Sequence, residues 1–376
     1  MIRLILIVLL FLVSLLAVFR APAYYLWIAA ILVTGYPLIF SGAALLLTVS
    51  GFWIKAYQTF GTVLGIITFI LCLSPIARAY FVGADLKKEM SSIFNAPHKT
   101  IYPPQQPFSF LKLFSAANGT QSNDITYVKY ADTSLKLDYY RAGIPGKRPC
   151  VVMIHGGSWG GGNSKELPEL NPVLVKSGYN VAAINYRLAP KYQSPAPVED
   201  VKNCLKYLRE HADNLNIDTT KFILIGRSAG AQIALAAAYT INDPSIIGVV
   251  DFYGPADMVW GYSIPSNPLI MDSRKVMGNY LGGSYKEVPQ HYFNSSPVEF
   301  VKKTSPATLI IHGGTDVLVS PIHSDKLLAK LKKARVPAFY LYLPWGTHGF
   351  DYSLNGPGGQ LSTYAVQTFI NTITQP

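Results

Sequence analysis

Residues 221–238 read KFILIGRSAGAQIALAAA. An apolar, largely β-branched run, Phe222 to Ile225, ends in Gly226-Arg227-Ser228-Ala229-Gly230, and a small-residue helical stretch, Ala229 to Ala238, follows at once. A Gly-x-Ser-x-Gly turn between a strand and a helix is the setting of a nucleophile elbow. The turn is sharp, so a side chain at either flanking glycine would collide with the neighbouring strand or helix. The serine hydroxyl is lifted above the sheet at the positive end of a helix. The plainer alternative is a tight turn whose serine caps the helix, and the rest of the chain has to decide between them.

Working outward towards the N-terminus, the first 80 residues differ sharply from the remainder. Leu4–Phe19 is almost wholly apolar, Ala21–Ile54 contains no charged residue, and neither does Gln58–Ala77. Twenty helical residues span about 30 Å, the thickness of a bilayer core. Three transmembrane helices are expected, near 3–20, 24–48 and 57–77, with a kink at Pro37. Tyr24, Tyr25, Trp27, Trp53 and Tyr57 stand near the span ends, where interfacial aromatics belong. A cleavable signal peptide is the alternative for the first span, but no A-x-A-like site follows cleanly and two further spans do. Arg20, Arg78, Lys87 and Lys88 fall on one side of a three-span arrangement, with Arg3 and Lys55 on the other. That bias leans towards a cytoplasmic C-terminal domain; a fourth span in the long uncharged run would reverse it.

The formal charge of +11 splits unevenly along the chain. Residues 1–84 hold four basic residues and no acid, which leaves 28 basic and 21 acidic residues for the remainder. No Lys/Arg run or RNA-type aromatic motif accompanies this excess, so no nucleic-acid partner is expected. Cys72, Cys150 and Cys204 form no CxxC or Cys/His cluster, and neither a disulfide framework nor a metal site is legible.

Residues 81–124, with prolines at 97, 103, 104 and 107, read as a linker or collar. Asn118-Gly119-Thr120 and Asn294-Ser295-Ser296 are glycosylation sequons, a triplet common by chance. From about residue 125 to the end, strands alternate with helices. Strands are expected at Ile125–Tyr130, Leu135–Arg141, Cys150–Ile154, Asn180–Tyr186, Lys221–Ile225, Ile246–Phe252, Ala307–Ile311 and Ala338–Leu343. The middle ones are continuous apolar runs, as buried parallel strands are. The first two alternate with period two and look like an edge hairpin. Helices are expected near 165–177, 198–213, 229–240, 321–334 and 359–373. The pattern implies an α/β fold, a mostly parallel eight-stranded sheet with helices on both faces. Residues 254–303 break the alternation with aromatic and proline-rich sequence after the sixth strand, and a lid or cap is expected there.

Acyl transfer by serine needs a nucleophile, a base, a group that orients the base, and donors for an oxyanion. The third strand runs into His155-Gly156-Gly157-Ser158-Trp159-Gly160-Gly161-Gly162. Glycines there allow backbone N–H groups to turn towards a ligand. With the amide after Ser228, the expected oxyanion donors are Gly156, Gly157 and Ala229. A phosphate-binding glycine loop is the alternative, but neither GxxxxGK[ST] nor GxGxxG is present. Of seven histidines, His348 stands just past the last strand, where a loop reaches the same sheet edge as Ser228. His155 and His312 end strands before Gly-Gly and are expected to orient loops. Asp316 follows the seventh strand and is the expected acid. Asp351, only three residues after His348, is a rival too local to orient the ring. The order Ser228, Asp316, His348 is the α/β-hydrolase order.

These pieces together resemble the α/β-hydrolase fold from about residue 125 to 373. Within it they resemble the HGG(x)W carboxylesterases related to hormone-sensitive lipase and to feruloyl and acetyl xylan esterases. The matching segments are His155–Trp159, Asn185-Tyr186-Arg187-Leu188-Ala189-Pro190, Gly226–Gly230, His312–Asp316 and His348-Gly349-Phe350. Asn185 and Arg227 depart from the pattern, since relatives usually carry acidic residues at both places. The resemblance also implies a structural pairing of Asp200 with Arg187.

The expected function is a membrane-anchored serine carboxylesterase working through an acyl-enzyme, with no cofactor. Formamidase or amidase, prenylcysteine-type methylesterase and acyltransferase chemistry would use the same triad. A receptor on this fold that lacks catalysis is a further alternative, against which the presence of His348 argues. Trp159 and Tyr186 are the expected substrate-binding residues. The expected partners are a small-molecule ester of lipid-like or aromatic character and membrane lipid around the N-terminal helices.

Overall fold

The computed structural model describes residues 1–94, 106–116 and 119–374. Pro97, His98, Pro103, Pro104 and Asn118 lie outside the described residues.

Eight strands form one sheet: β1 (Asn123–Lys129), β2 (Ser134–Tyr140), β3 (Arg148–Ile154), β4 (Asn180–Ile184), β5 (Ile217–Arg227), β6 (Ile246–Phe252), β7 (Ala307–Gly313) and β8 (Ala338–Leu343). Their order is β1-β2-β4-β3-β5-β6-β7-β8. The β1–β2 hairpin and the β2–β4 pair are antiparallel, and every other pairing is parallel. The early period-two alternation thus marks the hairpin at the edge, and the continuous apolar runs mark the parallel centre.

Alternate residues of the central strands serve two cores. Val152, Leu224 and Ile310 face one side and Val151, Ile223 and Leu309 the other. Helices cover both faces, as a sheet buried on two sides requires. The fold is an α/β-hydrolase fold. The strand ends are in register, with Ile154 beside Gly226 and Gly226 beside Asp251. Loops leaving the carboxyl ends of β3, β5, β7 and β8 therefore emerge side by side.

The N-terminal region is helical: α1 (Ile2–Ser14, extended by a 3₁₀ turn to Ala17), α2 (Tyr24–Gly35), α3 (Pro37–Val49) and α4 (Gln58–Phe94). The single helix expected over 24–48 is in fact two. The chain bends by 88° between α2 and α3, at Tyr36-Pro37, because proline fixes φ, lacks an N–H and disfavours helical geometry in the residue before it. Among the described residues, α4 is the one helix long and apolar enough to cross a membrane by length and composition, and the bent α2–α3 pair would add a second span if taken as one. Ile2–Ala17 is shorter, about 24 Å at 1.5 Å per residue.

Helix α4 also overruns the expected boundary at residue 80. Its buried residues recur at three- and four-residue spacing from Gly61 to Phe94. The early ones lie against α1 and α3, and the later ones (Ile76, Ala79, Leu86, Met90 and Phe94) join the core on one sheet face. Phe94 meets Phe369 edge-on at 5.1 Å. The start of the expected collar is therefore a helix packed on the domain. At the far end of the helical group, the buried Arg3 donates to the carbonyls of Leu47 and Thr48 and to Thr62 Oγ1, a cation at the carbonyl end of α3 where the helix dipole favours one.

The remaining helices are α5 (Leu170–Lys176), α6 (Ala196–Glu210), α7 (Ala212–Leu215), α8 (Ala229–Thr240), α9 (Met258–Ser263), α10 (Ser273–Leu281), α11 (Pro289–Asn294), α12 (Ile322–Ala334) and α13 (Pro357–Thr374). The stretch 254–303, expected as a lid, is built from α9, α10, α11 and the loops between them.

Candidate active site

Ser228 stands between β5 and α8 with φ 54° and ψ −120°. A left-handed φ is costly for a residue with a side chain and persists only where its surroundings enforce it. Here the glycines do so. A Cβ on Gly226 would lie 2.2 Å from the Gly230 carbonyl oxygen, and one on Gly230 would lie 2.2 Å from that of His155. Ser228 N–H is anchored on the Phe252 carbonyl at 2.9 Å. The hydroxyl is thereby held over the carboxyl edge of the sheet.

Ser228 Oγ lies 2.9 Å from His348 Nε2, and His348 Nδ1 lies 2.7 Å from Asp316 Oδ2. With Nδ1 donating to the carboxylate, Nε2 is free to accept the serine proton. Asp316 Oδ1 accepts two amides, from Leu318 and Val319, both at 2.9 Å. His312 Nε2 faces Asp316 Oδ2 at 3.2 Å and the Val319 carbonyl at 3.0 Å. Two acceptors at Nε2 place its proton there, and His312 Nδ1 then accepts from Ser324 Oγ at 2.7 Å. Burial alone would raise the Asp316 carboxyl. The charge of His348, with hydrogen bonds from His312 and His348, outweighs it and holds Asp316 well below the usual carboxylate range. The acid is therefore ionised, and every lone pair that faces the loop has a donor.

The glycine-rich loop after β3 abuts the serine: a Cβ on Gly156 would lie 3.5 Å from Ser228 Cβ. Gly157 has φ +100°, a conformation that side chains rarely adopt. Among the described residues, the amides of Gly156, Gly157 and Ala229 donate to no protein acceptor. Buried amides normally find partners; Gly156 and Ala229 are buried, whereas Gly157 is exposed, so two of the three stand beside Ser228 as buried donors without a protein acceptor.

The BD-FAE family model matches residues 137–331, just over half of the chain. The chain belongs to the BD-FAE family. Esterase LipC of Mycobacterium tuberculosis is 27% identical over 261 residues, covering 64% of this chain and 63% of that protein. The probable carboxylic ester hydrolase LipM of the same organism is 26% identical over 282 residues, covering 70% of this chain and 63% of its own length. The chain thus spans about 63% of the length of these two curated relatives. Among solved structures, a bacterial heroin esterase superposes with a TM-score of 0.58 at 21% identity, covering 70% of this chain and 88% of that one. The hyperthermophilic esterase of the archaeon Pyrobaculum calidifontis gives 0.58 at 22% identity, covering 79% and 97%. At such identities the structural likeness establishes the fold.

In this BD-FAE chain a cavity of about 430 Å³ opens beside Ser228. Trp159 lines it, but as a fixed wall: its ring stacks on Tyr280 at 4.6 Å and its Nε1 donates to Gln232 Oε1 at 3.0 Å. Tyr186, expected to touch substrate, lies outside the cavity lining. It is buried, its ring stacks on His155 at 4.2 Å, and its hydroxyl lies 3.1 Å from the carbonyls of both His155 and Gly156. It braces the glycine-rich loop from behind because its polar tip finds partners only there. His155 is kept neutral by burial, its pKa pushed down to about 4. The same effect holds His323, on the cavity wall, at about 3. Both are therefore neutral near pH 7.

Arg227 and Asp351 explain each other. Arg227 Nε lies 2.6 Å from Asp351 Oδ2, both side chains are buried, and Tyr253 donates to Asp351 Oδ1 at 2.6 Å. Tyr253 in turn packs on the His348 ring at 4.5 Å. The rival carboxylate thus neutralises the cation beside Ser228. The implied pairing of Arg187 with Asp200 is also present at 2.9 Å, with Tyr130 donating to the same carboxylate.

Three cavity residues, Arg20, Ala21 and Pro22, come from the N-terminal region, and sequence reasoning missed them. The indole of Trp27 likewise reaches the His348 loop. The Arg20-Ala21-Pro22 break between two apolar stretches was visible, but nothing local points from it to Ser228, some two hundred residues away.

Proposed function

We propose that this chain hydrolyses carboxylic esters of small molecules through a covalent acyl-serine. The observation that carries the reading is the chain of contacts from Ser228 Oγ through His348 to Asp316, set beside three unpaired amides. In the first step His348 Nε2 takes the hydroxyl proton as Ser228 Oγ bonds to the ester carbonyl carbon. The carbonyl oxygen becomes an oxyanion between the amides of Gly156, Gly157 and Ala229. Removing one such donor typically costs about 3–4 kcal/mol of transition-state stabilisation. The C–O bond to the alcohol then breaks, and His348 returns its proton to the departing oxygen. Water repeats the sequence on the acyl-serine and releases the acid, so ester and water become acid and alcohol. Asp316 stabilises the imidazolium and fixes its tautomer. This chemistry calls for no cofactor. The esterase names of the sequence relatives support the bond type.

We further infer that α1, α3 and the first half of α4 sit in lipid, with α2 lying along its surface at nearly a right angle to α3. Their outward side chains are aliphatic, among them Leu9, Leu12, Leu46, Ile66 and Ile70, all exposed. Arg20, Arg78, Lys87 and Lys88 lie towards the hydrolase domain, which favours placing that domain on the cytoplasmic side. On this reading the chain divides into a lipid-seated helical part, a connecting part that includes the end of α4, and a hydrolase domain from about residue 125 with 254–303 as its lid.

The test is trapping. The full-length protein treated with a fluorophosphonate should gain one adduct, on the peptide that carries Ser228. An unlabelled Ser228, or an adduct on another residue, contradicts the proposal.

A further inference from the structure

The cavity beside Ser228 has a definite mouth. Most of its lining is buried or half-buried, but Arg20, Pro22, Ile264, Pro265 and Asn267 are exposed. The mouth therefore lies where the loop between α9 and α10 meets the segment between α1 and α2. Two hydrogen bonds tie these walls together: Asn267 Nδ2 donates to the Pro22 carbonyl at 3.0 Å, and Tyr24 N–H to the Leu269 carbonyl at 3.1 Å.

This mouth is close to the lipid-seated helices. Arg20 to Pro22 follow Ala17, the end of the first apolar helical stretch, by three to five residues. At no more than about 3.5 Å per residue, that places the rim within roughly 10–18 Å of the end of that stretch. The surface around the mouth is also apolar. Leu269 is 71% exposed and Tyr25 84% exposed, with Phe19 and Ile264 exposed beside them. Nothing else in the described chain covers these side chains, and the patch joins the N-terminal helices where Tyr24, at the start of α2, is bonded to Leu269. An exposed apolar patch of this kind marks a contact site, and its continuity with the lipid-seated helices makes a bilayer surface its occupant. Inside the mouth, Ile270, Met271, Val276, Met277 and Val319 give the cavity an aliphatic wall.

We infer that the pocket is loaded from the lipid surface, and that its substrate class is an ester with a long aliphatic chain already partitioned into the bilayer. The inference rests on the esterase reading and the lipid seating proposed above, and adds the source and class of the ester. The chain passes from the lipid surface over Leu269 and between the two tied walls, so that the ester carbonyl reaches Ser228. The bonds made and broken are those of the hydrolysis already described.

The test uses the full-length protein in phosphatidylcholine vesicles and two esters, p-nitrophenyl palmitate dissolved in those vesicles and p-nitrophenyl acetate in the surrounding water. Leu269 stands outside the cavity lining, and its tie to Tyr24 of α2 runs through its main-chain carbonyl, so Leu269→Asp alters the exposed side chain at the rim and leaves that hydrogen bond in place. The expected result is a loss of about fivefold or more in palmitate hydrolysis, with acetate hydrolysis held within about twofold as the control for folding and chemistry. Leu269→Phe should keep both activities. If Leu269→Asp leaves palmitate hydrolysis unchanged, or lowers both esters together, the inference is overturned. The same holds if the wild-type protein cleaves acetate but not vesicle-borne palmitate, and the esterase reading then stands. If the wild type cleaves neither ester, the esterase reading falls and takes this inference with it.

Discussion

The indole Nε1 of Trp27 donates a 2.9 Å hydrogen bond to the main-chain carbonyl of His348. The rings of the two residues lie 6.4 Å apart, and Tyr253 closes on the imidazole at 4.5 Å. A residue of the N-terminal helices thus fixes the loop that carries the proposed base, and Arg20 Nη2 reaches the Gly314 carbonyl, two residues before Asp316, at 3.4 Å.

Trp27→Phe keeps an aromatic ring and removes the donor. One hydrogen bond is worth about 0.5–1.5 kcal/mol, which corresponds to a fall of roughly 2- to 12-fold in rate. Because Trp27 acts through His348 and lies outside the cavity lining, the loss should appear in kcat with KM little changed. Steady-state kinetics on p-nitrophenyl acetate check this; a rise in KM at constant kcat would place Trp27 in substrate binding instead.

Gly230→Ala puts a methyl group 2.2 Å from the His155 carbonyl and 2.3 Å from that of Ile154. These are backbone atoms of β3 and its loop, so the elbow has to open. A displacement of about 1 Å in such a site costs on the order of a hundredfold in turnover. Gly42→Ala meets nothing within 4 Å and sits inside a helix, where alanine is favoured by up to about 1 kcal/mol. Assaying the two variants side by side should show a large loss for the first and none for the second.

Asp351→Asn strips the buried Arg227 of its counter-charge. Breaking one partner of a buried pair typically costs about 3–5 kcal/mol, whereas replacing both by apolar residues of similar volume is far milder. Denaturant unfolding should therefore find Asp351→Asn markedly less stable than the Arg227→Met, Asp351→Leu double variant. Equal losses would mean that the pair has no such coupling.

Stability should fall as the solution is acidified from about pH 6.5 to about pH 4, and the sign follows from three buried groups. Burial lowers His155 to about 4 and His323 to about 3, whereas an unfolded histidine takes its proton near 6.5. Across that window the unfolded chain holds more protons at these two sites, so acid favours unfolding. Asp251 opposes them. Burial raises its carboxyl to about 7, and its Oδ2 has no partner among the described residues. The folded chain therefore holds that extra proton. Over these three groups the difference is one proton, a loss on the order of 1.4 kcal/mol per pH unit, which burial of Asp200 and Glu166, both raised, reduces. Asp251→Asn removes one opposing group, so thermal melting at several pH values should show a steeper acid loss in that variant.

The fold was legible where local pattern and burial agree. Ile246–Phe252 and Ala338–Leu343 have the expected bounds because each is a short, mostly apolar run with a proline within three residues of either end. β5 begins at Ile217 rather than Lys221, since Asp218-Thr-Thr-Lys221 is polar yet still extended. The places of Ser228, Asp316 and His348 after β5, β7 and β8, at one edge of the sheet, could be read because each follows an apolar strand, and chain order supplied the rest. The role of Tyr186 could not, since its partners are carbonyls of another loop and sequence carries no sign of which way a ring points. Arg227 looked anomalous for the same reason: its partner Asp351 is 124 residues away. The N-terminal helices were legible as apolar, but Trp27 and Arg20 reach the site through tertiary contacts that no periodicity encodes.

The central claim is that Ser228 is the nucleophile of an ester hydrolase. The most direct measurement is the turnover of p-nitrophenyl acetate by the wild-type protein and by Ser228→Ala under identical conditions. The account predicts a loss of about 10⁶-fold, down to the residual rate set by binding and the amide donors. A Ser228→Ala protein that retains ordinary turnover would contradict it.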